Sequence, residues 1–291
     1  MQMSVQPPAG AGFQTTAYSE YFVEVDGLRL HIQDYGSQGK TPMLCVHGGG
    51  ANGHWFDFVA RGFIADYHVR AVDLRGHGDS DWDASDPPNY SYSRHAADLH
   101  ELTEKLDLRD FVLVGHSMGG MISSIYSATY PGRAKAVIIV DSNLVMTPER
   151  IAGFNAVGNR PGRDYATQEE FIGTYRVRPG GSTAPVDALR YIAFHSGRRF
   201  EDGRWRHKLD RRVYTSRELV DSFGQWDRIR IPALLMRGGR SMRMTPEAIT
   251  EVRSRAPQIK TALVADAEHH ITLDNPEGFI RAAQGFLAEI A

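Results

Sequence analysis

Six short, mostly apolar runs constrain this chain more than any other feature: Met43–Val46, His68–Asp73, Phe111–Val114, Ala136–Val140, Ala233–Met236 and Thr261–Val264. They do not alternate cleanly between polar and apolar residues, so neither side of such a strand suits water. Between them lie stretches with helical periodicity. Ala96, Leu99, Leu102 and Leu106 share one face, as do Met121, Ile122, Ile125 and Ala128, and then Phe279, Ala283 and Phe286. Pro246 to Arg255 reads as a further helix. Strands covered on both faces and alternating with helices predict an α/β protein with a doubly wound, mostly parallel sheet. Ahead of them, Tyr21–Val25 and Leu28–Ile32 flank Asp26-Gly27, which predicts a hairpin.

The alternation is interrupted once. Residues 142–217 hold Gly153, Gly158, Pro161, Gly173, Pro179-Gly180-Gly181 and Pro185 among short helical stretches. We expect a lid inserted into a core made of residues 18–141 and 218–291, with residues 1–17 as a loose tail. The insertion carries 13 Arg and 1 Lys against 8 acidic residues, a surplus of six, whereas the whole chain is at −2 and the remainder therefore at −8. Arginine forks match carboxylates bidentately. The insertion thus points to an anionic substrate, with Arg176 and Arg178, just before Pro179, as first candidates for the contact. For any single arginine a solvated surface role is the commoner one. Trp55, Trp205 and Trp226 are candidates for pocket walls or for core.

Three motifs carry chemistry. Gly115-His-Ser-Met-Gly119 follows a strand and opens a helix, the setting in which a serine is pushed out at a sharp turn. Ser117 is the expected nucleophile. His47-Gly-Gly-Gly50 ends an earlier strand and suits an oxyanion hole, which needs two N–H donors. The expected donors are Met118 and Gly49, with Gly48 as the neighbour that could replace it, and His47 as a brace for the loop. His269-His-Ile-Thr-Leu-Asp-Asn-Pro276 follows the last strand, so His269 stands at the sheet edge where a general base is needed.

Together with Asp73-Leu-Arg-Gly-His-Gly-Asp-Ser80, these motifs resemble the α/β-hydrolase superfamily from about Tyr18 to Ala291. The resemblance implies an α/β-hydrolase fold with a helical lid. It places the base on His269, with Glu268 where relatives usually have glycine, and leaves His270 as a candidate for the pocket or for a support just behind it. It fails at the acid. Most relatives carry an aspartate in a string such as R-G-G-x-S-D, whereas this chain reads Arg237-Gly-Gly-Arg-Ser-Met242. A minority of the family, haloalkane dehalogenases and (E)-2-(acetamidomethylene)succinate hydrolase among them, place the acid one strand earlier. Asp141, 24 residues after Ser117, ends that strand here. Asp73 belongs to its glycine turn, and Asp266 is too near His269 in sequence. The other reading of Asp141 is a structural aspartate, with a dyad or a water doing the rest.

The resemblance implies a serine hydrolase acting on a small ester, lactone, amide or C–C bond beside a carbonyl. The alternatives are a cofactor-free oxygenase or perhydrolase on the same triad, or a non-catalytic ligand receptor, for which Met242 is the one feature in favour. Dehalogenases and most epoxide hydrolases use Asp as nucleophile and do not fit Ser117. No cofactor and no metal is expected. A net charge of −2 gives no reason to expect a nucleic-acid partner, and no apolar run approaches the ~20 residues of a membrane helix. One cysteine, Cys45, permits no internal disulfide. With no signal peptide legible, a cytoplasmic protein acting on a small acyl substrate is expected, and a homodimer is left open.

Overall fold

The computed structural model describes residues 13–221 and 223–290. The chain opens with β1 (Ser19–Val25) and β2 (Leu28–Asp34), then β3 (Thr41–Val46), β4 (Tyr67–Val72), α1 (Tyr92–Lys105), β5 (Phe111–His116), α2 (Met118–Thr129) and β6 (Ala134–Val140). An insertion follows: β7 (Val145–Met146), α3 (Pro148–Gly158), α4 (Gln168–Thr174), α5 (Val186–Ser196), β8 (Gly197–Arg199), β9 (Trp205–His207) and β10 (Val220–Asp221). The core resumes with α6 (Phe223–Trp226), β11 (Ala233–Gly238), α7 (Pro246–Arg255), β12 (Lys260–Val264), α8 (Ile271–Asp274) and α9 (Pro276–Ala288).

Eight strands form one sheet in the order β1-β2-β4-β3-β5-β6-β11-β12. The β1–β2 and β2–β4 pairs are antiparallel, and the rest run parallel. Successive side chains of a strand point to opposite faces, so each central strand feeds two cores. Leu44, Val46, Leu113, Ile139 and Leu235 pack with Leu99, Leu102, Ile122 and Val252 on one face. Met43, Cys45, Val112, Val114, Ile138 and Met236 pack with Phe56, Phe279, Ala283 and Phe286 on the other. This is why these runs read as continuously apolar. Trp226 and Trp55 are buried in these two cores, and Trp205 packs in a small cluster of the insertion.

Two boundaries differ from the sequence reading. Residues 13–17 are docked, not loose: the backbone N–H and hydroxyl of Thr16 both donate to the Asp57 carbonyl (2.8 and 2.9 Å), and Phe13 packs against Phe58 and Tyr191. Residues 1–12 lie outside the described residues. The neck of the insertion is an antiparallel pair between β7 and β10, so its return arm runs on to Asp221, past residue 217. Two-residue strands carry no periodicity that a sequence can reveal.

Asp73 ends β4 and holds the glycine turn that follows. Its carboxylate accepts from the Gly53 and Asp79 amides (2.6 and 2.9 Å) and from the His31 ring (2.9 Å). A β-carbon at Gly78 would lie 2.1 Å from that carboxylate, so glycine is required there. Burial by itself would raise the Asp73 pKa, but its donors outweigh this and hold it well below the carboxylate range. Burial would likewise lower His31, yet Asp73 lifts it to about 9. The pair is therefore a buried ion pair at neutral pH. Asp73→Ala is expected to cost on the order of 3–5 kcal/mol, read as a urea midpoint at pH 6, because it leaves the buried His31 with only the exposed Glu20 as partner and two amides unpaired. A raised histidine pKa contributes stability below the unfolded value and loses it as pH rises through the folded value. The penalty should therefore shrink between pH 6 and about pH 9.

Candidate active site

The parallel strands direct their carboxyl ends to one edge of the sheet. The order β4-β3-β5 places successive connections on opposite sides of β3, and the crevice this opens is where such sheets bind ligands. Loops after β3, β5, β6, β11 and β12 meet there.

Ser117 links β5 to α2 at φ 52°, ψ −115°, a left-handed conformation that a non-glycine residue adopts only under constraint. The constraint comes from its glycines. A β-carbon at Gly115 would sit 2.4 Å from the Gly119 carbonyl oxygen, and one at Gly119 would sit 2.2 Å from that of Val46. The turn is also tied to β6: the Ser117 N–H donates to the Val140 carbonyl (2.8 Å), and Ser142 Oγ donates to the Ser117 carbonyl (2.7 Å).

His269 Nε2 lies 3.0 Å from Ser117 Oγ, and His269 Nδ1 lies 2.7 Å from Asp141 Oδ2. The three side chains thus form one hydrogen-bonded line. Asp141 is fully buried and also accepts from Ser241 Oγ (2.5 Å) and the Gly238 amide (3.3 Å). Gly238 ends β11, and Ser241 belongs to the loop after it, the one that lacks the usual aspartate; Met242 in that loop is 79% exposed. Burial pushes Asp141 up to about 6, while the Ser241 and Gly238 donors favour its ionised form. Burial, then the neighbouring His270 and Arg243, drive His269 well below the ordinary histidine value, so its resting form is the neutral imidazole.

The glycine loop after β3 borders the nucleophile. Gly49 and Met118 both line the cleft, and Met118 is the first residue of α2, where an N–H has no acceptor within the helix. Gly48 is no cleft wall: it packs behind, and a β-carbon there would be 3.1 Å from Ser117 Cβ. His47 Nε2 accepts from the Leu74 amide (3.0 Å), so its proton is on Nδ1, which donates to the Gly48 carbonyl (2.7 Å). His47 therefore braces the loop.

The cleft has a volume of about 250 Å³. Its walls include Tyr92, Met121, Met146, Phe154 and Tyr214, with Arg178, Arg217 and Arg243. No carboxylate is among the lining residues, and none of these arginines makes an ion pair among the described residues. Arg178 is thus one of the residues lining the cleft. Arg176 is not: it is exposed and donates to the carbonyls of Gly173 (3.0 Å) and Tyr175 (2.6 Å). One position apart on an extended segment, the two side chains diverge. Of the two places open to His270 it takes the one behind the pocket: it is buried, and its Nε2 donates to the Pro179 carbonyl (2.7 Å), so it holds the segment carrying Arg178 without lining the cleft.

Sequence reasoning missed four residues. Arg217 and Arg243 were hidden among many arginines. His116 donates to the His269 carbonyl (2.9 Å) and fixes the base loop. Asp274 accepts from Ser182 Oγ (2.6 Å), the Thr183 amide (2.9 Å) and the Ala184 amide (3.2 Å) with one oxygen, and from the Glu268 amide (3.0 Å) with the other. It joins the lid segment to the base loop. Ring nitrogens of His116, His269 and His270 lie within 4.8 Å of one another, the spacing of metal ligands. Hydrogen bonds to the His269 carbonyl, Asp141, Ser117 and the Pro179 carbonyl already engage these rings.

The chain's residues 41–276 match the family model described as alpha/beta hydrolase fold. An esterase of Mycobacterium tuberculosis is 27% identical over 271 residues, covering 86% of this chain and 84% of that protein. A 2-(acetamidomethylene)succinate hydrolase of Mesorhizobium japonicum is 26% identical over 272 residues, covering 91% and 94%. The crystal structure of an E-2-(acetamidomethylene)succinate hydrolase superposes with a TM-score of 0.78 at 22% identity, covering 94% of this chain and all of that one, a likeness of fold.

Asp274→Ala removes four acceptor contacts without touching the cleft wall. Hydrogen exchange at the Thr183 and Ala184 amides is expected to quicken at least tenfold, as for one or more kcal/mol of lost local stability, with β5 and β6 unchanged.

Proposed function

The chain belongs to the alpha/beta hydrolase fold family, and we propose that it is a serine hydrolase in which Ser117, His269 and Asp141 act as nucleophile, base and acid on a small carboxylic acyl substrate. One observation carries this reading: the unbroken line from Ser117 Oγ through both nitrogens of His269 to Asp141, at 3.0 and 2.7 Å, on the wall of the cleft.

The neutral imidazole takes the Ser117 proton on Nε2 as Oγ bonds to the carbonyl carbon. The carbonyl π electrons move to oxygen, which faces the Gly49 and Met118 amides. Asp141 keeps Nδ1 protonated and stabilises the imidazolium without accepting its proton. Collapse breaks the bond to the leaving alkoxide or amine, which receives the proton from Nε2. An ester on Ser117 remains. Water then attacks it, gives a proton to His269, and the acid departs as Ser117 Oγ recovers the proton. The strained turn holds Oγ ready for this geometry, so little reorganisation is needed at the moment of reaction.

The cleft suits an anionic substrate of few atoms, since it is small, holds three arginines and has no lining carboxylate. Met242, the feature that favoured a non-catalytic receptor, does not leave the imidazole unserved, because Asp141 takes that position.

Ser117→Ala should lower turnover of an active ester by on the order of 10⁴–10⁶ while melting as the parent does. Asp141→Asn should cost on the order of 10³–10⁴ in kcat, and Met242→Ala should leave kcat where it is. Catalysis needs neutral His269 and ionised Asp141, so kcat/KM should be flat at neutral pH and fall as pH drops through about 6. Ser241→Ala removes a donor that favours ionised Asp141, and should move that acid limb to higher pH. A limb unmoved in this variant, or retained activity in Ser117→Ala, would contradict the assignment.

A further inference from the structure

Arg217 is placed unlike the other arginines of the insertion. Its Nη1 donates to the Tyr92 hydroxyl (2.9 Å), its Nη2 lies 3.5 Å from Met118 Sδ, and its buried Nε has no hydrogen-bond partner. The Phe154 ring centroid is 3.8 Å from the guanidinium carbon, with the Tyr214 and Tyr92 rings at 5.6 and 5.8 Å. The group is thus held in an aromatic box with neutral partners only. A guanidinium has five donors in a planar fork, and here most of them are unspent. Withdrawing such a cation from water is costly unless an anion answers it.

Its position relative to the reaction is also fixed. A β-carbon on Gly49 would come within 2.6 Å of Arg217 Nη2, and Met118 is the other neighbour of that nitrogen. Arg217 therefore stands against Gly49 and the Met118 side chain, the two residues whose amides are proposed to face the oxyanion. The leaving group must lie on the other arm, toward His269 Nε2, which protonates it. Arg243 and Arg178 line the same cleft as His269, and Arg178 is next to Pro179, the partner of His270.

We propose that Arg217 receives a carboxylate on the acyl side of the scissile bond, so that the substrates are half-esters or half-amides of short dicarboxylic acids. This rests on Ser117 being the nucleophile. The cleft of about 250 Å³ admits a short acyl chain between the carbonyl over Ser117 and the carboxylate at Arg217. The two ends of the acyl group are then held at once, which orients the carbonyl.

Two isosteric pairs of esters test it. Monomethyl succinate carries a carboxylate on the acyl arm, and methyl isocaproate replaces it with an uncharged isopropyl group. The acetate ester of β-hydroxypropionate carries the carboxylate on the alcohol arm, and isoamyl acetate is its uncharged counterpart. Hydrolysis of all four is followed by product release, in the parent chain and in Ser117→Ala, Arg217→Gln and Arg217→Lys. We expect kcat/KM for monomethyl succinate to exceed that for methyl isocaproate by on the order of 10- to 100-fold, the worth of a charged hydrogen-bonded pair. That ratio should fall to near one in Arg217→Gln and recover in part in Arg217→Lys, which keeps the charge but not the fork. The alcohol-side pair should show no ratio that depends on Arg217. Should Arg217→Gln fail to fold, judged by circular dichroism, the parent's two ratios and the lysine variant decide. A ratio near one in the parent, a ratio that survives Arg217→Gln, or a larger ratio for the alcohol-side pair overturns the proposal. Those outcomes leave the nucleophile intact if the uncharged esters are still cleaved in a Ser117-dependent way. Cleavage that persists in Ser117→Ala overturns the underlying reading instead.

Discussion

A single backbone turn sets the geometry on which the rest of this site depends. Ser117 has a positive φ because the helix after it lies so close to the strand before it and to the end of β3 that neither Gly115 nor Gly119 has room for a β-carbon. Such a conformation costs on the order of 1–3 kcal/mol and persists only when its surroundings over-determine it. Here the surroundings are β6 and the residues just beyond it. The Ser117 N–H is bound to Val140, and its carbonyl accepts from Ser142. Those two residues flank Asp141, itself at a positive φ of 43°. The contacts that hold Ser117 in its strained state thus also place Asp141, and His269 lies hydrogen-bonded between them.

This coupling explains what was legible in the sequence. The sheet was readable because strands covered on both faces must be apolar throughout, and the glycines around Ser117 were readable because sterics leave no substitute. Asp141 was reached through a gap, the methionine where relatives carry an acid. The end of β11 and the loop after it still bear on this site, since Gly238 and Ser241 hydrogen-bond Asp141, the aspartate proposed to serve in its place. Other features carried no signal. Arg176 and Arg178 look equivalent in a sequence, and only the path of the backbone sends one to the carbonyls of its own segment and the other to the cleft. Arg217 lay at the last residue of the assigned insertion, and its aromatic neighbours come from α1, α3 and the turn ahead of it, distant positions that no local pattern joins.

The insertion is fastened to the core, not merely laid over it. Asp274 bridges residues 182–184 and the base loop, His270 holds Pro179, and β10 pairs with β7 at the neck. Part of the insertion's positive charge is spent locally: Arg190 pairs with Glu169, Arg206 with Asp164 and Asp202, and Arg212 with Asp210. Surface pairs of this kind contribute little to stability. The informative charges are the ones left without a carboxylate beside Ser117. Of the two arginines that the sequence singles out, Arg178 lines the cleft and Arg176 does not.

The central claim is that Ser117 is an activated nucleophile, and its reaction with a fluorophosphonate tests this most directly. Such a reagent traps a serine whose proton a neighbouring base removes and whose developing charge an oxyanion hole accepts. Peptide mapping by mass spectrometry after brief exposure should find one adduct, on the peptide containing Ser117, at a rate that drops sharply when His269 is replaced by alanine. An unmodified Ser117, or labelling that proceeds equally fast without His269, would contradict the account.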